Sequence, residues 1–227
     1  MVPIDIKMKK LIISALLFAG ILPAFAQEQA PKLYTLPSPY DRYTHYQVTA
    51  RYTAAIPVGS FSNNYIDKTS FENYSIGLEW VFQNSFSIGG ELGYSFFKKR
   101  LPRATYQQSD GSEISAIQTR TLTQYPIQAF VNYSFAPKNA TVQPYVQLSA
   151  GASVLDYTLY YGILADQQQK IRPTYGIGVG SKFLFKKDGN FGADIRVKYQ
   201  GTSFDYEYVD KGVSAINASV GLFYRWW

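Results

Sequence analysis

The sequence predicts an all-β chain: an eight-stranded, antiparallel, up-and-down transmembrane β-barrel. Three observations predict it. From residue 43 onward apolar residues recur at every second position, the period of a strand with one apolar face, and no stretch of twelve holds the 3.6-residue period of an amphipathic helix. The segments so marked are joined by connections that alternate short and long. Their polar faces are rich in Gly and Ser rather than in Lys and Glu.

Composition narrows the chemistry. Of 227 residues, 17% are aromatic (20 Tyr, 15 Phe, 3 Trp), which favours strands and argues against disorder. The absence of Cys excludes a disulfide scaffold and any Cys-ligated zinc or iron–sulfur centre. The single histidine, His45, speaks against a multi-His metal site or a His-relay enzyme. No cofactor and no metal are therefore expected. A mean hydropathy of −0.16 rules out a helical membrane bundle. It leaves a membrane barrel open, because every second strand residue can be polar.

Residues 1–26 read as a secretory signal peptide. Lys7, Lys9 and Lys10 form the basic region, Leu11 to Leu22 the apolar region, and Ala24-Phe25-Ala26 the cleavage site before Gln27. The apolar run falls short of the ~20 residues a spanning helix needs. A start at Met8 instead of Met1 gives a more compact leader. Three of the 22 basic and one of the 16 acidic residues fall here, so the mature chain carries 19 against 15, net +4. That mild balance, without a basic tract, gives no reason to invoke nucleic acid. Residues 27–42, with Pro31, Pro37 and Pro39, predict a flexible periplasmic lead-in. The barrel domain is 43–227.

The strands follow in order. Tyr43–Ile56 sets Tyr46, Val48, Ala50 and Tyr52 against Gln47, Thr49, Arg51 and Thr53. Phe71–Phe82 sets Tyr74, Ile76, Leu78 and Trp80 against Ser75, Gly77 and Glu79. Phe86–Phe97 sets Ile88, Leu92 and Tyr94 against Gly89, Glu91 and Gly93. A long fourth strand, about Ser115–Phe135, sets Tyr125, Ile127, Val131 and Tyr133 against Arg120, Gln124, Gln128 and Asn132. Val142–Leu155 sets Val146, Leu148 and Val154 against Gln147, Ser149 and Gly151. Thr174–Phe185 sets Tyr175, Ile177 and Val179 against Gly176, Gly178, Gly180 and Lys182. Phe191–Phe204 sets Ile195, Val197 and Tyr199 against Asp194, Arg196 and Lys198. Val213–Trp227 sets Leu222, Tyr224 and Trp226 against Asn217, Ser219, Gly221 and Arg225.

Short connections fall at Gln83–Ser85, Ala136–Thr141 and Lys186–Asn190, the last containing the hairpin dipeptide Asp188-Gly189. Long ones fall at Pro57–Ser70, Lys98–Ile114, Asp156–Pro173 and Asp205–Gly212. Gly162–Arg172, the best helical candidate, reads as loop. An even strand count returns both termini to the short-turn end, expected to be periplasmic.

A soluble, lipocalin-like barrel would turn the apolar rows inward. A bilayer demands the reverse, with a closed sheet and an apolar exterior. Small residues on the polar face, few charges of mixed sign, and aromatics at the strand ends predict the reverse arrangement.

With its signal peptide, its alternating strands and its terminal segment Ile216–Trp227 (INASVGLFYRWW), the chain resembles the outer-membrane β-barrel family of Gram-negative bacteria, which includes OmpA- and OmpX-like and PorT-like barrels. The resemblance covers 43–227. It implies outer-membrane localisation, contact with outer-membrane lipid and lipopolysaccharide, and insertion by the barrel assembly machinery. It also implies that the last strand, through Leu222, Tyr224, Trp226 and Trp227, is the assembly signal; the outward register ends at Trp226, so which terminal aromatic is read stays open.

The inward ionisable residues predict a lumen charge network of Arg51, Glu79, Glu91, Arg120, Lys182, Asp194, Arg196 and Arg225, with Lys198 on the same face. If the turn at 186–190 sets the register, Lys182 falls opposite Asp194 as a cross-strand ion pair. Glu79 and Glu91 lie diagonally across one hairpin. Two carboxylates can do acid–base chemistry as a pair. Burial instead predicts their neutralisation by Arg51 beside them and by Arg120 or Arg225 across the lumen. His45, at the short-turn rim, lacks a Ser or acid partner at a known spacing. Lys98, Lys99, Arg100 and Arg103 open a long loop, either as a solvated base or as a contact for lipopolysaccharide phosphates.

The expected function is that of a non-enzymatic integral outer-membrane protein with a side-chain-filled lumen, acting in envelope structure, adhesion or partner docking. The alternatives are an accessory subunit of an envelope secretion or transport machine, as PorT-like resemblance implies, and a narrow small-solute channel.

Overall fold

The computed structural model describes residues 38–107, 113–161, 164–204, 209 and 212–227. The leader, most of the lead-in segment and most of 205–212 lie outside the described residues. Eight strands form one closed barrel in sequence order: β1 (His45–Val58), β2 (Ser70–Val81), β3 (Phe86–Gln107), β4 (Glu113–Ser134), β5 (Val142–Tyr161), β6 (Leu164–Leu184), β7 (Phe191–Thr202) and β8 (Val213–Trp226). Every neighbouring pair is antiparallel. β8 closes on β1, with Tyr46 opposite Trp226 and Val58 opposite Ser214. Closure leaves no sheet edge inside a bilayer, where an unpaired backbone group has no water to turn to.

The short connections are turns. Asp188 takes a positive φ of 58°, Gly189 N–H donates to Lys186 O at 2.9 Å, and Phe185 meets Phe191. The long connections differ from expectation. β3 and β4 continue to the pair Gln107–Glu113, and β5 and β6 to Tyr161–Leu164, so Lys98–Gln107 and Leu164–Pro173 are strand, not loop. Alternation vanishes there because the outer face meets water, while backbone pairing carries on without it. In the first long connection the chain turns at Gly59 (φ 66°) into a short helix, which drops Phe61 into the barrel. We call it α2 (Gly59–Asn64), α1 being Pro39–Arg42 at the start of the described chain. Within the lead-in segment, residues 39–42 form α1: Ser38 caps it, and Tyr40 is buried.

Polarity settles the direction of the faces. Leu148 and Leu222 are 61% and 62% exposed on the outside, whereas Arg51, Glu79 and Arg196 are 4%, 2% and 2% exposed inside. The barrel is apolar outside and charged within, the fold of a membrane-spanning outer-membrane β-barrel. Two aromatic belts bound the apolar exterior. One holds Tyr46 stacked on Trp80 and Trp226, with Phe86 against Tyr133 and Phe191 against Tyr224. The other holds Tyr74 stacked on Tyr94, with Tyr125 beside it. Tyr74 to Phe82 and Tyr125 to Phe135 match the ~9–11 residues of a spanning strand.

Beyond the Tyr74–Tyr94–Tyr125 row the polarity inverts. Lys98, Arg100, Gln167 and Gln169 stand exposed on the outside. Inside, Phe97, Leu122, Leu155, Tyr157 and Leu159 pack with Phe61, Tyr65 and Ile66 into an apolar core. This end is built like a water-soluble barrel, and the switch marks where lipid ends.

Candidate functional site

In the lumen of the spanning region ionisable side chains converge, and strand register puts them there. Arg51 lies opposite Gly221, and a Cβ at Gly221 would come within 2.8 Å of Arg51 Cγ. Glycine on one strand makes room for a long side chain on the next. Gly89 does so for Phe130, Gly180 for Tyr145 and Gly192 for Phe223, each with an imaginary Cβ within 2.6 Å of the ring.

Two clusters result. In the larger, Glu91 accepts from Arg51 Nη1 at 3.2 Å, from Lys198 Nζ at 2.8 Å and from Arg196 through both terminal nitrogens. Arg51 Nε also donates to Asp194, whose second oxygen accepts from Tyr145 OH at 2.8 Å. Gln147 and Gln128 take further donors of Arg196 and Lys198, each at 2.8 Å. In the smaller, Lys182 Nζ holds both oxygens of Glu79, at 2.7 and 2.9 Å; Asn132 and Ser87 complete that carboxylate's shell. Four cations thus meet three carboxylates, all buried. Low dielectric makes such contacts strong and an unmatched member costly.

Several expected pairings differ. Lys182 does lie opposite Asp194, but it reaches Glu79 while Asp194 takes Arg51. In so narrow a barrel inward side chains reach the far wall as readily as the adjacent strand. Arg51 neutralises Glu91 but not Glu79. Arg120 and Arg225 reach neither glutamate. Arg120, at the long-loop end, donates to Asn64 O at 2.8 Å and Tyr65 O at 3.3 Å, holding the chain that follows α2. Arg225, at the short-turn end, donates to Gly189 O, Lys138 O and Asn139 Oδ1 at 2.8–3.0 Å, with its guanidinium 3.6 Å from the centre of the Tyr40 ring. Glu79 and Glu91 sit in separate clusters, each on its own cations. Among the described residues no three His, Asp or Glu side chains are grouped to hold a metal.

Tyr145, Phe130 and Phe223 were missing from the inward set. Their signal was parity: each shares the face of polar neighbours (Gln147, Gln128 and Arg225), and hydrophobicity alone hid it. Of the terminal-strand residues, Leu222, Tyr224 and Trp226 point outward on β8, with Tyr224 stacked on Trp226. Trp227, past the strand, lies against Tyr40 with ring centres 4.8 Å apart. His45 is buried at the short-turn end, edge-on to Tyr40.

Two lumen cavities flank this arrangement, each about 20 Å³, room for about one water. One lies by His45, Glu79 and Arg225, the other by Asn73, Glu91, Lys198 and Asn217. Above the second, Gln124, Thr202 and Thr174 are hydrogen-bonded across the lumen, and the apolar core closes over them.

No protein-family model matches the chain, and no curated protein matches it. Among solved structures it is similar to the neisserial surface protein NspA, at 15% identity over 80% of this chain and 96% of that one, with a TM-score of 0.49. It is also similar to Ail, the attachment invasion locus protein of Yersinia pestis, solved with the heparin analogue sucrose octasulfate (16% identity, 81% and 97% covered, TM-score 0.46). A third is the N-terminal β-barrel domain of Pseudomonas aeruginosa OprF (18% identity, 79% and 97% covered, TM-score 0.40).

Proposed function

We propose that the chain is a non-enzymatic integral outer-membrane protein, exported by residues 1–26, whose lumen is sealed and whose work is done at its ends in envelope structure, adhesion or partner docking. The observation that carries this reading is the seal itself. The Lys182–Glu79 cluster, the Arg51–Asp194–Glu91 cluster and the apolar core around Phe61 succeed one another along the lumen, with two water-sized cavities beside them. Glu79 and Glu91 are ion-paired and out of reach of a substrate, which supports a role without catalysis.

The long-loop end suits docking. The β3–β4 and β5–β6 hairpins project past the tyrosine row and are braced by the apolar core. Lys98 and Arg100 stand exposed just beyond Tyr94 and Phe96, at headgroup level, where they suit lipopolysaccharide phosphates. The terminal strand supports recognition by the assembly machinery through its outward aromatics.

Planar-bilayer recording of the refolded chain tests the seal. No single-channel steps are expected; discrete conductance would overturn the sealed lumen and favour the small-solute channel. Fractionation tests the location: heat-modifiable migration in the outer-membrane fraction is expected, and release with the soluble periplasm would refute it. Stoichiometric co-purification with a secretion apparatus in mild detergent would replace the free-standing role with that of an accessory subunit.

A further inference from the structure

A group of cations at the short-turn end adjoins the smaller lumen cluster. The cavity there, about 20 Å³, is walled by His45 from β1, Glu79 from β2, Lys182 from β6, Arg225 from β8 and Lys138 from the turn between β4 and β5. Glu79 is the one carboxylate in that wall, and Lys182 holds both of its oxygens. Arg225 donates to neutral acceptors only: two backbone carbonyls and the Asn139 amide. The Nζ of Lys138 is buried and has no hydrogen-bond partner among the described residues, and neither has Nδ1 of His45, a residue only 3% exposed. Tyr40 of α1 packs on two residues of that wall, in a T-shaped contact with the His45 ring and with its face under the Arg225 guanidinium.

An ammonium in such a place either gives up its proton or finds a counter-charge. Burial already pulls Lys138 below the ordinary lysine range, opposed only by the field of Asp41 in α1. Size decides the counter-charge. A cavity of about 20 Å³ admits a water or a monatomic ion but not a phosphate or a carboxylate. Lys138 and Arg225 feel the carboxylates of Asp41 and Asp188 only at a distance, and neither is ion-paired; with a ring nitrogen able to donate, this favours an anion over a water.

We propose that this cavity is a chloride-class site: one small monatomic anion held between the Lys138 ammonium and an Nδ1–H of His45, in the positive field of Arg225, with α1 as its lid. The bound ion would couple the lid, the β4–β5 turn and the first strand into one closed short-turn end.

The test uses the refolded full chain in lipid vesicles, unfolded by urea in sodium chloride or sodium gluconate mixed at constant ionic strength. The unfolding equilibrium constant is expected to fall up to tenfold for each tenfold rise in chloride above the dissociation constant. Gluconate, too large to enter, gives the baseline. Lys138→Met is expected to abolish the chloride dependence. Crystals grown in bromide should show one anomalous peak between Lys138 and His45. Equal unfolding in chloride and gluconate, or a bromide map without that peak, would overturn the site and leave the cavity to a water. Chloride dependence that persists in Lys138→Met would overturn the assignment to these residues. Should that variant fail to fold, the wild-type halide comparison and the bromide map decide alone.

Discussion

Glu91→Gln is the sharpest perturbation of the lumen. Glu91 is 6% exposed and is contacted by three cations, Arg51, Arg196 and Lys198, at 3.2 Å or less. The amide keeps the shape and removes the charge. It leaves those three cations with Asp194, which already binds Arg51 and Tyr145. Breaking one partner out of a buried pair costs about 3–5 kcal/mol. With Arg196 and Lys198 stranded and Arg51 left to Asp194 alone, the upper part of that range is expected, a loss of roughly 10³-fold in the folding equilibrium at 1.4 kcal/mol per tenfold. Glu79→Gln is the internal control. It strands Lys182 alone, whose neighbour Gln47 Oε1 remains within 3.4 Å. Its cost should be clearly smaller. Urea unfolding in vesicles, followed by tryptophan fluorescence and by gel migration without boiling, measures both. Adding Lys198→Met to Glu91→Gln should recover part of the loss by removing a stranded charge. A Glu91→Gln protein within about 1 kcal/mol of the parent, or one more stable than Glu79→Gln, would refute the claim that this carboxylate organises the lumen.

Three further outcomes are expected. Gly89→Ala should destabilise by about 1–3 kcal/mol, because its Cβ would meet Leu78 O at 2.2 Å and Phe130 Cζ at 2.5 Å; Gly90→Ala, whose nearest contact is 4.0 Å away, should fall within ~0.5 kcal/mol in the same urea assay. Leu148→Arg, outward between the belts, should cost about 2–4 kcal/mol in vesicles, whereas Gln167→Arg, outward beyond the tyrosine row, should be near neutral. For Lys138, burial lowers the folded pKa, so between that value and the unfolded one near 10.5 the unfolded chain binds more protons. Stability in gluconate should therefore rise with pH across that window relative to Lys138→Met, and chloride should flatten the rise.

Much of this molecule was legible in the chain because a strand has period two. Tyr46, Val48 and Ala50 against Gln47, Thr49 and Arg51 identify both faces of β1 without any coordinates. The ends of β3 to β6 were not legible. Outside the bilayer, water tolerates any residue on the outer face, so Lys98–Gln107 and Leu164–Pro173 carry no alternation even though the backbone pairs to the tips. The apolar core at the long-loop end was hidden for a related reason. Leu122 and Leu155 share the parity of lumen residues, and their hydrophobicity contradicts that face unless the level at which lipid ends is known.

The sequence by itself determined the strand count, the inward placement of Arg51, Glu79, Glu91, Asp194 and Arg196, and the need for small residues in a crowded lumen. These follow from local periodicity and from the cost of charge in lipid. Only the tertiary structure decided who pairs with whom. Lys182 passes over its register partner Asp194 for Glu79, Arg120 holds the chain after α2, and Arg225 caps the turns. Closing a small barrel brings opposite walls within side-chain reach, and that distance is a property of the closed sheet, absent from any single strand.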